Sequence, residues 1–557
     1  MKISHWLRNV ILTELFIPIT LLIVGIYHGL MQTVYRAGLI HQSSFAGLDY
    51  YQGLTLHGVI NALVLTTFFA VAFGHATIVY FLKNEPRKRP TKLSMWLMIA
   101  GTAMAAWAMF AGKADVLYTF YPPLKAHPLF YLGLAVMIVG SWIPLFDWVG
   151  LLKSWRASHT GEKVPLAVWG TIINFIIWFT CTLSVAYEVL FMLLPWSLGW
   201  KATINVALAR TLFWFFGHAL VYFWLLPAYV MYYAFLPRLA GGKLYSDLVG
   251  RITFAIFLIF SVPVGVHHQF SDPSIEPNTK LTQSLLTFGV ALPSFLTAFT
   301  MFATLEYAGR KNGGKGLFGW IGRLPFFDSS RYLFSYFICG LILFIFGGFT
   351  GIVNASYELN AVVHNTAFLP GHFHMTVAGP VILAMLGMSV HLVSQLKGKK
   401  VFAPTLNTIV PYLWMIGVFI FSAGLMWGGL QGEPRRTNLG LSYLNPKSDL
   451  FHPQWVPDTL LTMCGGFIMF LAGIFFFIVF FGTFFRRKTQ EADQLEFPVS
   501  EALHDERIIP LFNDLRPWVI LMVLVILIAY IPAILDVFRF AGPGAPPHLP
   551  NSPVPGL

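Results

Sequence analysis

The sequence predicts an all-α bundle of about thirteen membrane-crossing helices, and three observations lead there. Of the 557 residues, 56% are hydrophobic and only 11% are charged, against about 25% charged in an ordinary soluble protein. Thirteen apolar runs are each long enough to cross a bilayer, which takes about 20 residues. Lysine and arginine then fall on alternate sides of those runs, following the positive bias of cytoplasmic loops. A water-soluble enzyme is excluded, because so few charged residues cannot coat its surface. Disorder is excluded by the aromatic content of 16% and the aliphatic runs around it. Cys181, Cys339 and Cys464 lie far apart inside apolar runs, so neither a CxxC metal site nor a disulfide framework is expected.

The first run, 9–31, follows Lys2 and Arg8; it is long enough to span and lacks a small-residue cleavage site, so it reads as a helix and not a removed leader. The second, 54–82, ends at the basic stretch KNEPRKRPTK (83–92), after which 94–111 returns across the bilayer. Runs at 127–152 and 165–195 flank three basic residues in 153–163, and runs at 208–236 and 251–272 flank three in 238–251. The pair 282–308 and 331–355 flanks five in 310–331, and the pair 372–397 and 405–430 flanks three in 397–400. The last pair, 456–485 and 517–541, flanks five in 486–516. In all, 26 of the 36 basic residues lie on the side of the N-terminus, which is therefore expected to be cytoplasmic. The net charge of +12 is thus accounted for as membrane anchoring, and no nucleic-acid partner is expected. The Pro-rich end, 542–557, reads as an outer tail.

Histidine at membrane depth is costly without a partner, so each one calls for an explanation. Taken singly, a hydrogen-bonded core histidine is the commoner role, and His75, His127 and His391 are read that way. Six others stand apart: His57, His218, His267, His268, His372 and His374. All fall in the outer half of the membrane at comparable heights, although four separate helices carry them. Residues two apart on a helix point about 200° apart, so His372 and His374 in GHFHM face opposite flanks of one helix. Such a helix can hold a planar metal cofactor on each side. His57 can supply the second axial ligand to one of them, which suits electron transfer, while the other keeps an open position for a small molecule. His218 with the adjacent His267 and His268 makes a three-nitrogen site suited to copper, iron or zinc. Pro263, four residues before His267, removes a backbone donor and lets the helix deform so that these rings converge.

Tyr222 follows His218 at i+4, on the same helical face. Tyr229 and Tyr233 return to within about 20° of that face and carry hydroxyls about 16 Å toward the cytoplasm. Ser294 and Thr297, i,i+3 neighbours in the span 282–308, extend the stripe. By themselves they are ordinary packing; beside a metal site, a file of hydroxyls reads as a proton path. Arg435 and Arg436 form the only adjacent basic pair on the outer side. Paired guanidinium forks suit an anionic clamp, with a loop ion pair to Glu433 as the alternative.

These residues bring out a family likeness. The chain resembles the catalytic subunit, subunit I, of the haem–copper oxygen reductases, specifically the B-type cytochrome c oxidases. The resembling segments are LTLHGVINAL (54–63), GHALVYFWLLPAY (217–229), PVGVHHQFSDP (263–273), HNTAFLPGHFHM (364–375) and QGEPRR (431–436). The resemblance implies one integral-membrane domain over 1–557, with a twelve-helix core at roughly 9–485, an extra helix near 517–541 and the outer tail. It implies two haems, a low-spin haem of type B held by His57 and His374 and a high-spin haem of type A held by His372. It also implies one copper ion held by His218, His267 and His268. Tyr222 would be covalently linked to His218 and supply an electron and a proton during O–O cleavage, and Arg435 and Arg436 would hold propionates. Tyr222, Tyr229, Tyr233, Ser246, Ser294 and Thr297 would form a single proton-uptake route. The implied reaction is four-electron reduction of O2 to water in a prokaryotic cytoplasmic (inner) membrane, with protons translocated across it. Implied partners are a subunit II carrying a copper centre, cytochrome c as donor, a small single-helix subunit and membrane lipid.

The sequence also departs from the A-type pattern. Leu220 stands where a glutamate relay would begin, Ala219 replaces a proline, HNT at 364–366 replaces HDT, and Asn360 stands where some relatives carry a carboxylate. Two rivals are distinguishable. A nitric oxide reductase would hold iron beside the haem, recruit glutamates and lack Tyr222; a histidine-lined transporter would hold no haem.

Overall fold

The computed structural model describes residues 1–40, 48–437, 443–489, 491–504, 506–507, 509–540 and 542–548. Helices dominate it; the β pairing among the described residues consists of isolated bridges. With no water in the hydrocarbon layer to pair backbone N–H and C=O groups, each apolar run satisfies them internally as a helix. In chain order the helices are α1 (His5–Arg36), α2 (Tyr50–Leu82), α3 (Lys88–Phe110), α4 (Pro128–Ser158) and α5 (Leu166–Ser197). There follow α6 (Val206–Ala234), α7 (Asp247–Phe260), α8 (Pro277–Lys311), α9 (Tyr332–Ala355) and α10 (Phe368–Lys397). The chain closes with α11 (Pro404–Leu430), α12 (Val456–Phe485) and α13 (Arg516–Phe540).

Among the described residues, twelve helices are long and apolar enough to span, where the sequence predicted about thirteen. The difference lies in 251–272. Here α7 ends at Phe260, Ser261–Gly265 is irregular, and Val266–Gln269 forms one 3₁₀ turn. Pro263 cannot donate its backbone nitrogen and so does more than bend the helix. Elsewhere three wide π turns interrupt helices without breaking them: Ile60–Leu65 in α2, Glu188–Leu193 in α5 and His374–Val381 in α10. The last contains Pro380 and a non-helical Gly379 (ψ −105°).

The bundle encloses α2 most fully, with 94% of its apolar window buried, against 22% for α13. Although peripheral, α13 braces the broken stretch after α7. Gln283 of α8 accepts from Val266 N (3.4 Å) and donates to Ala529 O (3.0 Å), tying that turn to α13. Asp536 of α13 accepts from Glu276 N (3.2 Å) and Thr279 Oγ1 (2.6 Å). The described part of the tail pairs with loops on the face opposite the N-terminus, Ala545 with Ile204 and His548 with Leu124; residues 549–557 lie outside the described residues. His75 and His127 are held as expected for structural histidines: Trp148 Nε1 donates to His75 Nδ1 (3.2 Å), and His127 Nδ1 caps α4 by accepting from Leu129 N (3.2 Å). His391 donates from Nε2 to Glu496 O (2.7 Å).

Helices α3 and α4 cross so closely that side chains are excluded. A Cβ on Gly101 would lie 2.4 Å from both Gly133 O and Met137 N, and one on Gly133 would lie 2.6 Å from Ala105 N and Gly101 O. Small residues at such crossings allow the backbones to touch. Gly101→Val is expected to force the pair apart, at a cost of about 1–3 kcal/mol for overpacking; a lowered melting temperature in detergent, against an unchanged one for a lipid-facing Trp96→Leu control, measures it.

Candidate functional site

The six histidines form two adjacent groups in the half of the bundle away from the N-terminus. In the first, His218 from α6 meets His267 and His268 from the 3₁₀ turn, with one ligand nitrogen from each within 4.8 Å of the others. Their ring centroids are 4.4 Å (His218–His267), 5.5 Å (His218–His268) and 4.2 Å (His267–His268) apart. A continuous helix would turn consecutive residues about 100° apart; the turn after Pro263 lets the adjacent pair face a common point. Indole packing fixes His268, whose ring stacks on Trp214 at 3.6 Å and 9°. His267 is fixed by Thr287 of α8. The Thr287 hydroxyl donates to Gln283 O (2.6 Å), so at 3.2 Å it accepts from His267 Nδ1–H. His267 Nε2 is then the bare nitrogen. His218 Nδ1 lies 3.3 Å from His268 Nε2, while His218 Nε2 is buried without a partner. The Tyr222 ring lies 4.9 Å from that of His218.

In the second group, His57 and His374 line a cavity of about 300 Å³ between α1, α2, α10 and α11. His57 and His374 face one another across it, rings 13° from parallel and centroids 6.2 Å apart. That gap is too wide for ring stacking. At metal–nitrogen bonds of about 2 Å it leaves room for one ion between two imidazoles. Carbonyls fix both tautomers, since a carbonyl only accepts: His57 Nδ1–H donates to Gly25 O (2.8 Å) and His374 Nδ1–H to Pro370 O (2.7 Å). Each Nε2 is left bare. Gly29 permits this approach, because a Cβ there would lie 2.7 Å from the His57 ring. His372, on the other flank of α10, donates from Nδ1 to Thr350 Oγ1 (2.8 Å), whose own proton goes to Gly347 O (2.8 Å). Tying one imidazole nitrogen so that the other can ligate is the usual arrangement at metal-binding histidines.

Arg435 and Arg436 reach the rim of the same cavity. The expected alternative, pairing with Glu433, is overturned: Glu433 is buried in an ion pair with Arg36 Nη2, which also donates to Pro434 O (3.1 Å). Arg435 instead donates to Asn365 Oδ1 (3.1 Å) and Arg436 to Thr119 Oγ1 (3.4 Å). Among the described residues neither has a carboxylate within ion-pair distance, and Arg435 Nε is buried without a partner. Desolvation first, and then the neighbouring Arg436, pushes the Arg435 guanidinium down to about 9. A positive pair so held suits an anionic ligand group at the cavity rim.

Below the three-histidine group the tyrosine stripe makes two hydrogen-bonded sets, one at Tyr229 and one at Tyr233. Tyr229 donates to Ser294 Oγ (3.3 Å), and the Tyr233 hydroxyl bonds Thr297 Oγ1 (3.0 Å) and Thr253 Oγ1 (3.2 Å). The Thr300 hydroxyl, one helical step on, donates to Leu296 O (2.7 Å). Ser246 is off this file, at the start of α7, and no hydrogen bond joins it to Tyr233 or Thr297 among the described residues. Sequence reasoning missed Thr253, Thr287, Thr300, Thr350 and Arg36. Only Thr300, one i,i+3 step beyond Thr297, carried a readable signal.

Three similarities bear on this geometry. Over 504 residues the chain is 40% identical to cytochrome c oxidase subunit 1 of Thermus thermophilus, covering 89% of this chain and 88% of that one. It is 24% identical over 481 residues to cytochrome c oxidase subunit 1 of Thermostichus vulcanus, covering 83% and 81%. A solved structure, described as a heme-copper terminal oxidase dimer, superposes with a TM-score of 0.97 at 48% identity, covering 99% of this chain and 97% of that one. The family model for cytochrome c and quinol oxidase polypeptide I matches residues 9–468, and with bare imidazoles gathered from the helices of that fold, the chain belongs to this family of respiratory membrane oxidases.

Proposed function

We propose that this chain is the catalytic subunit of a B-type cytochrome c oxidase, a multi-pass membrane oxidoreductase that reduces O2 to water and moves protons across the membrane. The observation that carries the reading is the convergence of His218, His267 and His268 beside the His57–His374 pair. The donor sets fit the groups the family binds, haem and copper. His57 and His374 would hold a low-spin haem of type B, His372 a high-spin haem of type A, and the three-histidine group copper. When bound, these groups supply electron transfer and the binding and reduction of oxygen.

The protein's own residues orient them and deliver protons. Gly25 and Pro370 carbonyls and the Thr350 and Thr287 hydroxyls hold one nitrogen of each ring, so the ligating lone pairs are preorganised. Arg435 and Arg436 would neutralise propionates, which relieves the electrostatic cost of two guanidinium groups sharing a cavity rim. Tyr229, Ser294, Tyr233 and Thr297 can pass a proton by exchange along their hydrogen bonds toward Tyr222, with Ser246 nearer the solvent. His218 Nε2 is the nitrogen free to join the Tyr222 ring. Forming that C–N bond removes one hydrogen from each residue, with the two electrons going to oxygen. Three separate free cysteines do not gather a thiolate centre, so electrons are assigned to arrive from cytochrome c through the copper centre of a subunit II. A small single-helix subunit would complete the assembly. The lysine and arginine distribution supports a cytoplasmic (inner) membrane location with the N-terminus inside.

Metal analysis of the purified protein is expected to give two iron and one copper per chain; three iron would point to nitric oxide reduction, and no metal would end the reading. His218→Ala is expected to lose the copper and oxygen uptake while keeping both haem spectra. His372→Ala is expected to lose the high-spin haem signal and all oxygen uptake. A peptide spanning residues 218–222 should be lighter than its sequence mass by two hydrogens. Thr297→Val, which removes a hydroxyl but keeps shape, is expected to slow turnover roughly tenfold or more with unchanged haem spectra, as read by oxygen-electrode rates.

A further inference from the structure

On the N-terminal face, a cavity of about 520 Å³ lies between the first turns of α1 and the ends of α10 and α12. Its α1 wall changes character with depth. Arg8 and Asn9 begin it, Leu12 and Thr13 follow, and Phe16 and Ile17 close it, about 14 Å further along the helix than Arg8. Across from α1, the Phe484 ring of α12 packs on Phe16 with centroids 4.7 Å apart. Lys397, the last residue of α10, holds its ammonium 3.5 Å from the Phe484 ring centroid. Lys488, just past the end of α12, completes the polar end.

The walls are tied to one another. In the stretch after α12, Thr489 N donates to Gly398 O (2.9 Å) and Asp493 N to Leu396 O (3.0 Å), while Ile3 N donates to Asp493 O (2.9 Å). Lys399 Nζ donates to Phe484 O (2.5 Å), which anchors the end of α12 beside α10. The acids of this stretch are already paired: Asp493 with Arg8 (2.8 Å) and Glu491 with Lys2 (3.1 Å). Among the described residues no carboxylate lies within ion-pair distance of Lys397 or Lys488. A lysine at a helix end ordinarily extends its ammonium away into water. Lys397 is instead half-buried, and its charge rests on an aromatic face that also lines the cavity.

Two unneutralised cations therefore stand at one end of a cavity whose other end is aliphatic and aromatic. Basic pockets between membrane helices suit anionic lipid headgroups. A soluble anion would engage the two lysines and leave Leu12, Phe16 and Ile17 without a partner; an acyl chain covers them. We infer that this cavity is a headgroup site for an anionic phospholipid. Its phosphate lies between Lys397 and Lys488, its glycerol reaches Asn9 and Thr13, and one chain runs down α1 along Phe16. The inference rests on the chain spanning a membrane and is independent of the chemistry at the histidines.

The test uses the full oxidase complex in phosphatidylcholine nanodiscs doped with photoactivatable phosphatidylglycerol or photoactivatable phosphatidylcholine. Labelled peptides are mapped by mass spectrometry, and haem absorbance reports folding. The expected result is saturable phosphatidylglycerol labelling of residues 8–17 and 484–488, several-fold above that by phosphatidylcholine. Each lysine is expected to contribute roughly fivefold to the apparent affinity, so Lys397→Gln with Lys488→Gln should weaken it about 25-fold. If the double variant does not load haem, Lys488→Gln replaces it, since that side chain is exposed, with a loss of about fivefold. Equal labelling by the two lipids, or unchanged affinity in the variant, overturns the inference. Displacement of the phosphatidylglycerol label by inorganic phosphate assigns the cavity to a soluble anion and overturns it as well.

Discussion

An imidazole can ligate a metal only if one ring nitrogen is bare, and it stays in place inside a membrane only if the other is held. Four of the six site histidines meet both demands in the same way. The Nδ1–H of His57 and His374 is taken by carbonyls of Gly25 and Pro370, and that of His372 and His267 by hydroxyls already committed as donors to Gly347 and Gln283. Each tautomer is thereby fixed, and one nitrogen of each ring is left free to ligate. Remove the outer partner and the ring gains a second tautomer and a second orientation, so the centre depends on groups that would never ligate a metal themselves.

The helices supply these partners by departing from regular geometry. His374 opens the π turn that contains Gly379 and Pro380, and His57 lies three residues before the π turn of α2. A wide turn shifts the helical register, which is why such turns recur at functional sites. The most severe departure is at Pro263, where the helix stops and its continuation becomes the turn carrying His267 and His268. That segment gives up continuous helical hydrogen bonding inside the bundle. Gln283 of α8 accepts from Val266 N in that segment and is itself held by Ala529 O of α13, so the peripheral α13 braces the break.

Charge is arranged as deliberately as the imidazoles. The buried Arg36–Glu433 pair takes up the carboxylate of the same loop, which leaves Arg435 and Arg436 as positive wall for the His57–His374 cavity. Toward the opposite end of the bundle, the polar groups of the tyrosine stripe are neutral hydroxyls paired with one another in the low-dielectric interior.

Much of this was legible in the chain. Apolar run lengths and the alternating basic loops determined a polytopic helix bundle, because the bilayer admits almost no other solution for a backbone with unpaired polar groups. Histidine depth, the GHFHM spacing and the His218–Tyr222 step determined which residues gather, since a helix converts spacing into direction. Tertiary structure alone decided the rest. Whether the segment after Pro263 bends or breaks depends on what braces it, and Gln283 and Ala529 lie far along the chain. Which carboxylate neutralises which arginine depended on Arg36, nearly 400 residues from Glu433. Thr287 and Thr350 act by contact across elements, and no periodicity in a linear sequence encodes a contact between helices that meet only once folded.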